Sequence, residues 1–483
     1  IGVAASVTTF GVGELSAVNG IEGSYAERVP VIAITGAPTR AVEEAGKFVH
    51  HSLAERRFHD YRKMFEPITT AQGYITPENA TTEIPRLINA AIQERRPVHL
   101  HLPIDVALAE IEVSETFQPE DVPHQDVKKY IDMIEDKLKS ANQPLIIAGH
   151  EINSFNLHKE LEEIVNQTNI PVAQLSLGKG AFNEENPHYI GVFDGEIAED
   201  KIKDYVNNSD AIFNIGAKLT DSATAGFSYE FDIDDVVMIN HKNFKMNDTV
   251  ANDVTLPSLV HGLKDLHFEN KNDYPQYETP QKNNYELRDQ PLIQETYYNI
   301  IQDFLQLDDI LIAEQGTSFF GAYDLAMHKN NTFIGQPLWG SIGYTLPATL
   351  GTQIADPQRR NVLLIGDGSL QLTVQSLSTM IRQNLKPVIF VINNDGYTVE
   401  RMIHGMKEPY NDIRMWDYKA LPAVFGGDNV EDHDVNTSEE LKRVFEKINA
   451  NSDRMHYVEV KMAVEDAPVK LSEIAKAFAS QNK

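Results

Sequence analysis

Cysteine is missing from all 483 residues of the chain. That excludes disulfides, thiolate nucleophiles, Cys-ligated metals and regulation through a thiol. It also fits a reducing, cytoplasmic setting. No apolar run reaches the roughly 18 residues that a membrane-spanning helix needs. Positive charge is scarce: 42 Lys and Arg stand against 71 Asp and Glu, a formal net charge of −29. With no basic tract, such a chain is unsuited to nucleic acid or to an anionic membrane surface. No internal repeat is visible, and the length predicts about three domains.

What is present is α/β patterning. The stretch LLIGDGSLQLTVQSLSTMIRQNLKPVIFVINNDGYTVE holds two short apolar, β-branched runs, 362–365 and 387–392, that read as buried parallel strands. Between them Leu370, Val374, Leu377 and Ile381 recur at helical spacing and predict one amphipathic helix. A right-handed crossover puts both strand C-termini on one edge of the sheet, where open α/β sheets bind ligands. Each strand ends in a polar cluster, Gly366-Asp367-Gly368-Ser369 and Asn393-Asn394-Asp395-Gly396. The glycines let backbone approach a bulky group, and Ser369 is placed to cap the following helix. The carboxylate of Asp367, the amide oxygen of Asn394 and a backbone carbonyl are hard ligands, suited to Mg²⁺ held jointly with phosphate. The stretch therefore predicts a diphosphate–Mg²⁺ site.

The rest of the chain divides by composition. Strand candidates at 31–36 and 97–102 alternate with helical segments in 1–113, and residues 1–7 read as a core strand at the very start. A polar, proline-containing stretch at 115–126 reads as a linker. A second α/β unit spans 127–268, with strand candidates at 144–149, 211–216 and 236–240. The polar run 269–288 is a second linker, and 290–483 a third α/β unit. All three are expected to be doubly wound parallel-sheet domains.

The GDGS and NN clusters at this spacing resemble the thiamine diphosphate signature. The wider chain resembles the thiamine diphosphate-dependent 2-keto acid decarboxylases, the pyruvate and indolepyruvate decarboxylase group. The matching stretches are VTTFGVGELSAVNGIEGSYAE, GKFVHHSL, EQGTSFFGA, QPLWGSIGYTLPATLG and NNDGYTVERMIHG. EQGTSFFGA and the C-terminal tail are most similar to the branched-chain and aromatic members. The resemblance implies pyrimidine-binding, middle and diphosphate-binding domains, in that order. It implies release of CO₂ and an aldehyde from a 2-keto acid, with thiamine diphosphate and Mg²⁺.

It also assigns residues. Asp367, Asn394 and the Gly396 carbonyl would ligate Mg²⁺. Gly368 and Ser369 would touch the diphosphate. Thr317, Gly340, Ile342 and Ile403 would contact the cofactor, Ile342 as the wedge between its rings. Glu400 would face the substrate carboxylate as an acid, with the His50-His51 pair as the other proton carriers. Gln315, Phe319, Val399, Ile474 and Phe478 would line a substrate pocket for larger aliphatic or aromatic keto acids. The cofactor would lie at the interface of a homodimer or homotetramer. The family's cofactor-activating Glu falls upstream of TTFGVGE, in a segment this sequence does not include, and Glu14 does not replace it. Glu55-Arg56-Arg57 departs from the Gly-Asp of close relatives. Pyruvate decarboxylase, acetolactate synthase and a non-catalytic cofactor-binding subunit are the alternatives.

Overall fold

The computed structural model describes residues 2–113, 116–120, 123–280 and 285–481. Residues 115, 121 and 122 of the first expected linker and 281–284 of the second lie outside these, as do 482 and 483 of the third expected domain. The chain separates into two compact units, 1–125 with 154–156 and 126–153 with 157–483.

The first unit is built on four parallel strands: β1 (Ala4–Thr9), β2 (Val31–Ala37), β3 (Ala71–Tyr74) and β4 (Val98–Pro103), in the order β1-β2-β4-β3. Among the described residues β1, expected as a core strand, stands at the edge of this sheet. Val7 is 75% exposed, its side chain pointing to a face of the sheet on which the described residues pack little.

The second unit carries two sheets. One holds β5 (Pro144–Ala148), β6 (Val172–Gln174), β7 (Tyr189–Val192), β8 (Ala211–Ile215), β9 (Val237–Asn240), β10 (Asn243–Met246) and β11 (Thr249–Ala251). Its order is β11-β10-β9-β8-β5-β6-β7, and it is not wholly parallel, since β10 runs antiparallel to both its neighbours. Lys242 and Asn247 take the left-handed conformation at the two tight turns, which folds the chain back as a meander instead of through a crossover helix.

The other sheet holds β12 (Ile310–Ala313), β13 (Thr332–Ile334), β14 (Asn361–Gly366), β15 (Val388–Asn393), β16 (Val430–Val435) and β17 (Met455–Lys461). All six are parallel, in the order β13-β12-β14-β15-β17-β16. Alternate residues feed opposite faces. Leu364, Phe390 and Val458 enter one core with the helices Gln294–Phe304 and Ser438–Ala450, while Leu363, Ile389 and Tyr457 enter the core on the other face. The chain steps from β12 to β13 on one side and returns to β14 on the other. This reversal opens a crevice at the strand C-termini.

Between β14 and β15 the single helix expected from periodicity is two, Asp367–Thr373 and Ser376–Arg382. Thr373 Oγ1 donates to Gly343 O at 2.7 Å, tying the end of the first helix to another loop. The break keeps the apolar face intact, with Leu370, Val374, Leu377 and Ile381 all against the same core. Ser369 is not a cap. The helix begins at Asp367, which puts the Ser369 side chain inside the first turn.

A buried ion pair ties the second sheet to the third. Lys179 Nζ lies 2.7 Å from Glu184 Oε1, with both side chains almost wholly enclosed. Glu184 also accepts from Gln174 Nε2 at 2.9 Å and from the Met327 N–H at 3.0 Å. Removing one partner strands the other charge. Lys179→Met should destabilise the second unit by about 3–5 kcal/mol, read as a lowered denaturant midpoint. A change under about 0.5 kcal/mol would show the pair to be incidental.

Candidate active site

The C-terminal ends of β12, β14 and β15 open on a cavity of about 480 Å³. That is within the range of small-molecule sites. Its wall includes Gln315, Thr317, Gly340, Ile342, Asp367, Gly368, Ser369, Asn394, Gly396, Val399 and Glu400.

Asp367 is 1% exposed. Its Oδ1 accepts from the Gly368 N–H at 2.8 Å, and its Oδ2 from the Gly396 N–H at 3.2 Å, across 29 residues of sequence. One carboxylate thus joins the loops after β14 and β15. Burial pushes its carboxyl up to about 7, against the pull of those N–H groups. A buried anion with neutral donors alone is undercompensated, and a cation is the natural remedy.

Asn394 stands beside it. Its Nδ2 donates to Thr398 Oγ1 at 2.9 Å, and Thr398 Oγ1 donates on to Val464 O at 3.2 Å. With the amide nitrogen engaged, Oδ1 is the atom left for a ligand. Gly396 has φ +128°, and a Cβ there would lie 2.3 Å from Asn411 O, so the loop admits only glycine. At Gly368 a Cβ would meet the Tyr397 ring at 2.4 Å.

Two supporting residues escaped the sequence reading. Arg401 is 3% exposed; its guanidinium donates to Asn394 O at 3.3 Å, Asp395 O at 2.6 Å and Asp412 Oδ1 at 2.9 Å. It holds the loop that carries Asn394 and Gly396. Glu314, also buried, accepts from the N–H and Oγ1 of Thr345 at 3.1 and 2.6 Å and from the Gln315 N–H at 3.0 Å. It ties the loop after β12 to the helix that follows Ile342, and burial pushes its carboxyl up. Tyr298 steadies the same loop, donating to Thr317 O at 2.8 Å. The available signal was a charged residue inside an otherwise apolar or oxygen-rich run.

Glu400 is on the cavity wall, on the helix Thr398–His404, with half of its side chain exposed. His404 Nε2 lies 3.4 Å from its Oε2. Arg401, the next residue and in sequence the obvious partner, turns to the loop carbonyls instead. Ile403 is half-buried on the same helix but is not on the wall. Phe319 and Ile474 are in the core, and Phe478 packs against it. Of the five residues expected to line a substrate pocket, Gln315 and Val399 are on the wall. Gln315 Oε1 is buried with no hydrogen-bond partner, an acceptor suited to a bound molecule.

His50 and His51 belong to the first unit and are exposed. Their rings lie 4.4 Å apart, and His51 takes φ +60°. Gly11 allows this loop close, since a Cβ there would overlap His51 O at 1.7 Å. Glu14 accepts the Gly11 N–H at 2.8 Å and the Thr35 Oγ1 hydrogen at 3.2 Å, which makes it a structural partner of that turn. In the Glu55-Arg56-Arg57 segment, Arg56 stacks on Phe48 and Arg57 pairs with Asp60.

Residues 131–261 match the family model for the thiamine pyrophosphate enzyme central domain, and 316–460 match the C-terminal TPP binding domain. The chain is 36% identical to pyruvate decarboxylase isozyme 1 of Saccharomyces cerevisiae, over its whole length and 88% of the relative's. It is 35% identical to an alpha-keto-acid decarboxylase of Mycobacterium bovis, over 99% of its own length and 87% of the relative's. The chain belongs to the thiamine diphosphate-dependent 2-keto acid decarboxylases. It is therefore an enzyme of the carboxy-lyase type. Among the described residues no helix is long and apolar enough to cross a membrane.

The wall residues of this decarboxylase fit the cofactor and its metal. The donor set beside Asp367 is all hard oxygen, which suits Mg²⁺, and the buried carboxylate lacks a cationic partner. A metal held there would need the ionised carboxylate and would displace a proton wherever Asp367 is neutral. Mg²⁺ affinity should rise with pH up to about 7 and then level off, being about tenfold weaker at pH 6 than on the plateau. Calorimetry in buffers of different ionisation enthalpy should also detect proton release near pH 6. Equal affinity at pH 6 and 8 without proton release would show that Asp367 is already ionised at pH 6, and loss of Mg²⁺ binding in Asp367→Ala tests ligation itself.

Proposed function

We propose that this decarboxylase acts on larger aliphatic and aromatic 2-keto acids, using Asp367, Asn394 and the Gly396 carbonyl to hold Mg²⁺ and Glu400 as an acid beside the substrate carboxylate. The observation that supports the site assignment is the Asp367 carboxylate clamped between two glycine N–H groups, with Asn394 on the wall of the same cavity. The size preference is supported by the wall itself. Val399 is a small side chain there, and the Phe319 ring is withdrawn into the core and does not narrow the cavity.

When bound, thiamine diphosphate supplies an acidic thiazolium carbon and a ring that accepts the electrons left by departing CO₂. The protein's part is positioning and proton management. Gly368 and Ser369 receive the diphosphate, and Thr317, Gly340 and Ile342 hold the rings. The β-branched Ile342 loses few rotamers in that role. Ile403 supports the same helix as Glu400. Glu400 faces the substrate carboxylate as the acid that donates a hydrogen bond to it. His50 and His51 supply protons from the first domain of a second copy, in a homodimer or homotetramer. The domains are 1–113, 127–268 and 290–483, each around one sheet. A cysteine-free composition fits a cytoplasmic location.

Comparing kcat/KM for pyruvate, 2-ketoisovalerate and phenylpyruvate tests the preference. The larger acids should lead by about tenfold or more, the scale set by a few methylenes of pocket contact. A lead for pyruvate would overturn it.

Glu400→Gln keeps the size and a hydrogen-bond donor but holds no transferable proton. Cofactor binding should be retained while kcat and kcat/KM both fall by about 10²-fold or more. Unchanged turnover would make Glu400 an ordinary half-exposed partner of His404.

A further inference from the structure

A second cluster of ligand atoms stands at the opposite edge of the third sheet. Glu431 and His433 are two apart on β16, so their side chains share a face. Glu431 is in register with His456 on β17. All three sit near the strand starts, whereas the cofactor cavity lies at the C-terminal ends.

His433 Nε2 is 3.2 Å from His456 Nδ1, and Glu431 Oε2 is 3.9 Å from the same Nδ1. The three ligand atoms lie within 4.8 Å of one another. His456 is fully enclosed and His433 is 8% exposed, while Glu431 keeps 24% of its side chain open. His456 Nε2 faces Asn451 O at 2.9 Å. A carbonyl can only accept, so the Nε2 proton is on that bond and Nδ1 carries the lone pair. A carbonyl behind the distal nitrogen is the usual outer support of a metal-ligating histidine.

We propose that Glu431, His433 and His456 form a second cation site, for a borderline divalent metal ion of the Zn²⁺ class. Two nitrogens at Zn–N distances of about 2.0–2.1 Å in a tetrahedron stand about 3.4 Å apart, close to the spacing found. His433 binds through Nε2 after moving its proton to Nδ1, so the pair stays neutral and no proton is lost. Glu431 must close on His456 Nδ1 by about 0.6 Å, which its partly open side chain permits, and water completes the shell. Its present partners are weak: Asn451 Nδ2 at 3.5 Å from Oε2, and Arg454 Nε at 4.0 Å from Oε1. Two imidazoles and a carboxylate are nitrogen-rich for Mg²⁺, which separates this site chemically from the Asp367 set. The ion would pin the edge strand β16 to β17 beside the end of the helix Ser438–Ala450.

The test uses the full-length holoenzyme saturated with Mg²⁺ and thiamine diphosphate. Zn²⁺ is titrated against a chromophoric chelator, and Co²⁺ is added separately to read its visible ligand-field bands. The wild type should take one ion per chain and gain thermal stability. Glu431→Gln and His433→Gln should bind at least tenfold more weakly, lose the Co²⁺ bands and gain no stability, with the aldehyde-forming rate unchanged. Glu431→Gln decides the matter if His433→Gln folds poorly, because Glu431 is the most open of the three. No Zn²⁺ binding by the wild type, or binding that Glu431→Gln leaves unaltered, would overturn the proposal and leave a hydrogen-bonded histidine pair.

Discussion

One carboxylate holds the cofactor side of this molecule together. Asp367 accepts N–H groups from two loops that leave neighbouring strands. The arrangement is unfavourable in isolation, since the charge is taken out of water and receives only neutral donors. It persists because the surrounding loops leave no alternative. Gly396 must stay in a conformation that no other residue takes easily, Tyr397 fills the space over Gly368, and Arg401 binds the carbonyls of Asn394 and Asp395. Local strain of this kind is stored where a ligand will use it.

The opposite wall is fixed by the same logic with different atoms. Glu314 is another buried carboxylate, but its donors include the hydroxyl and N–H of Thr345, and it needs no metal. Thr373 reaches Gly343 from the helix that Asp367 begins. Ile342 is therefore followed directly by two anchored residues, Gly343 and Thr345, each tied to a different strand-end segment. A side chain proposed to hold a bent ligand would gain from such rigidity, because its position would not have to be ordered on binding.

The sequence made the third sheet legible, because β14 and β15 are unbroken apolar runs and only a doubly covered parallel sheet makes such runs. Asp367 and Asn394 were legible for the same reason: polar residues directly after buried strands have one edge to occupy. The supports were not. Arg401 and Glu314 are residue types that ordinarily face water, and only tertiary packing turns them inward. Periodicity joined Leu370 to Ile381 into one helix, since the break between the two short helices costs no apolar contact. The meander at β10 and β11 and the exposure of β1 depend on turn geometry and on what packs outside a strand, neither of which the hydrophobic pattern records. Glu431, His433 and His456 converge through strand register alone.

The helix Thr398–His404 shows how little structure the chemistry requires. Thr398 and Arg401 are three residues apart and turn inward, where they orient the Asn394 amide and hold its loop. Glu400 and His404 are four apart and share the open face. The inner face therefore fixes where the outer face points. A shift of this helix would move the Asn394 oxygen and the Glu400 carboxylate together. The positions proposed to hold the metal and to act as the acid are thus coupled through seven residues, and the buried guanidinium of Arg401 is the rivet between them.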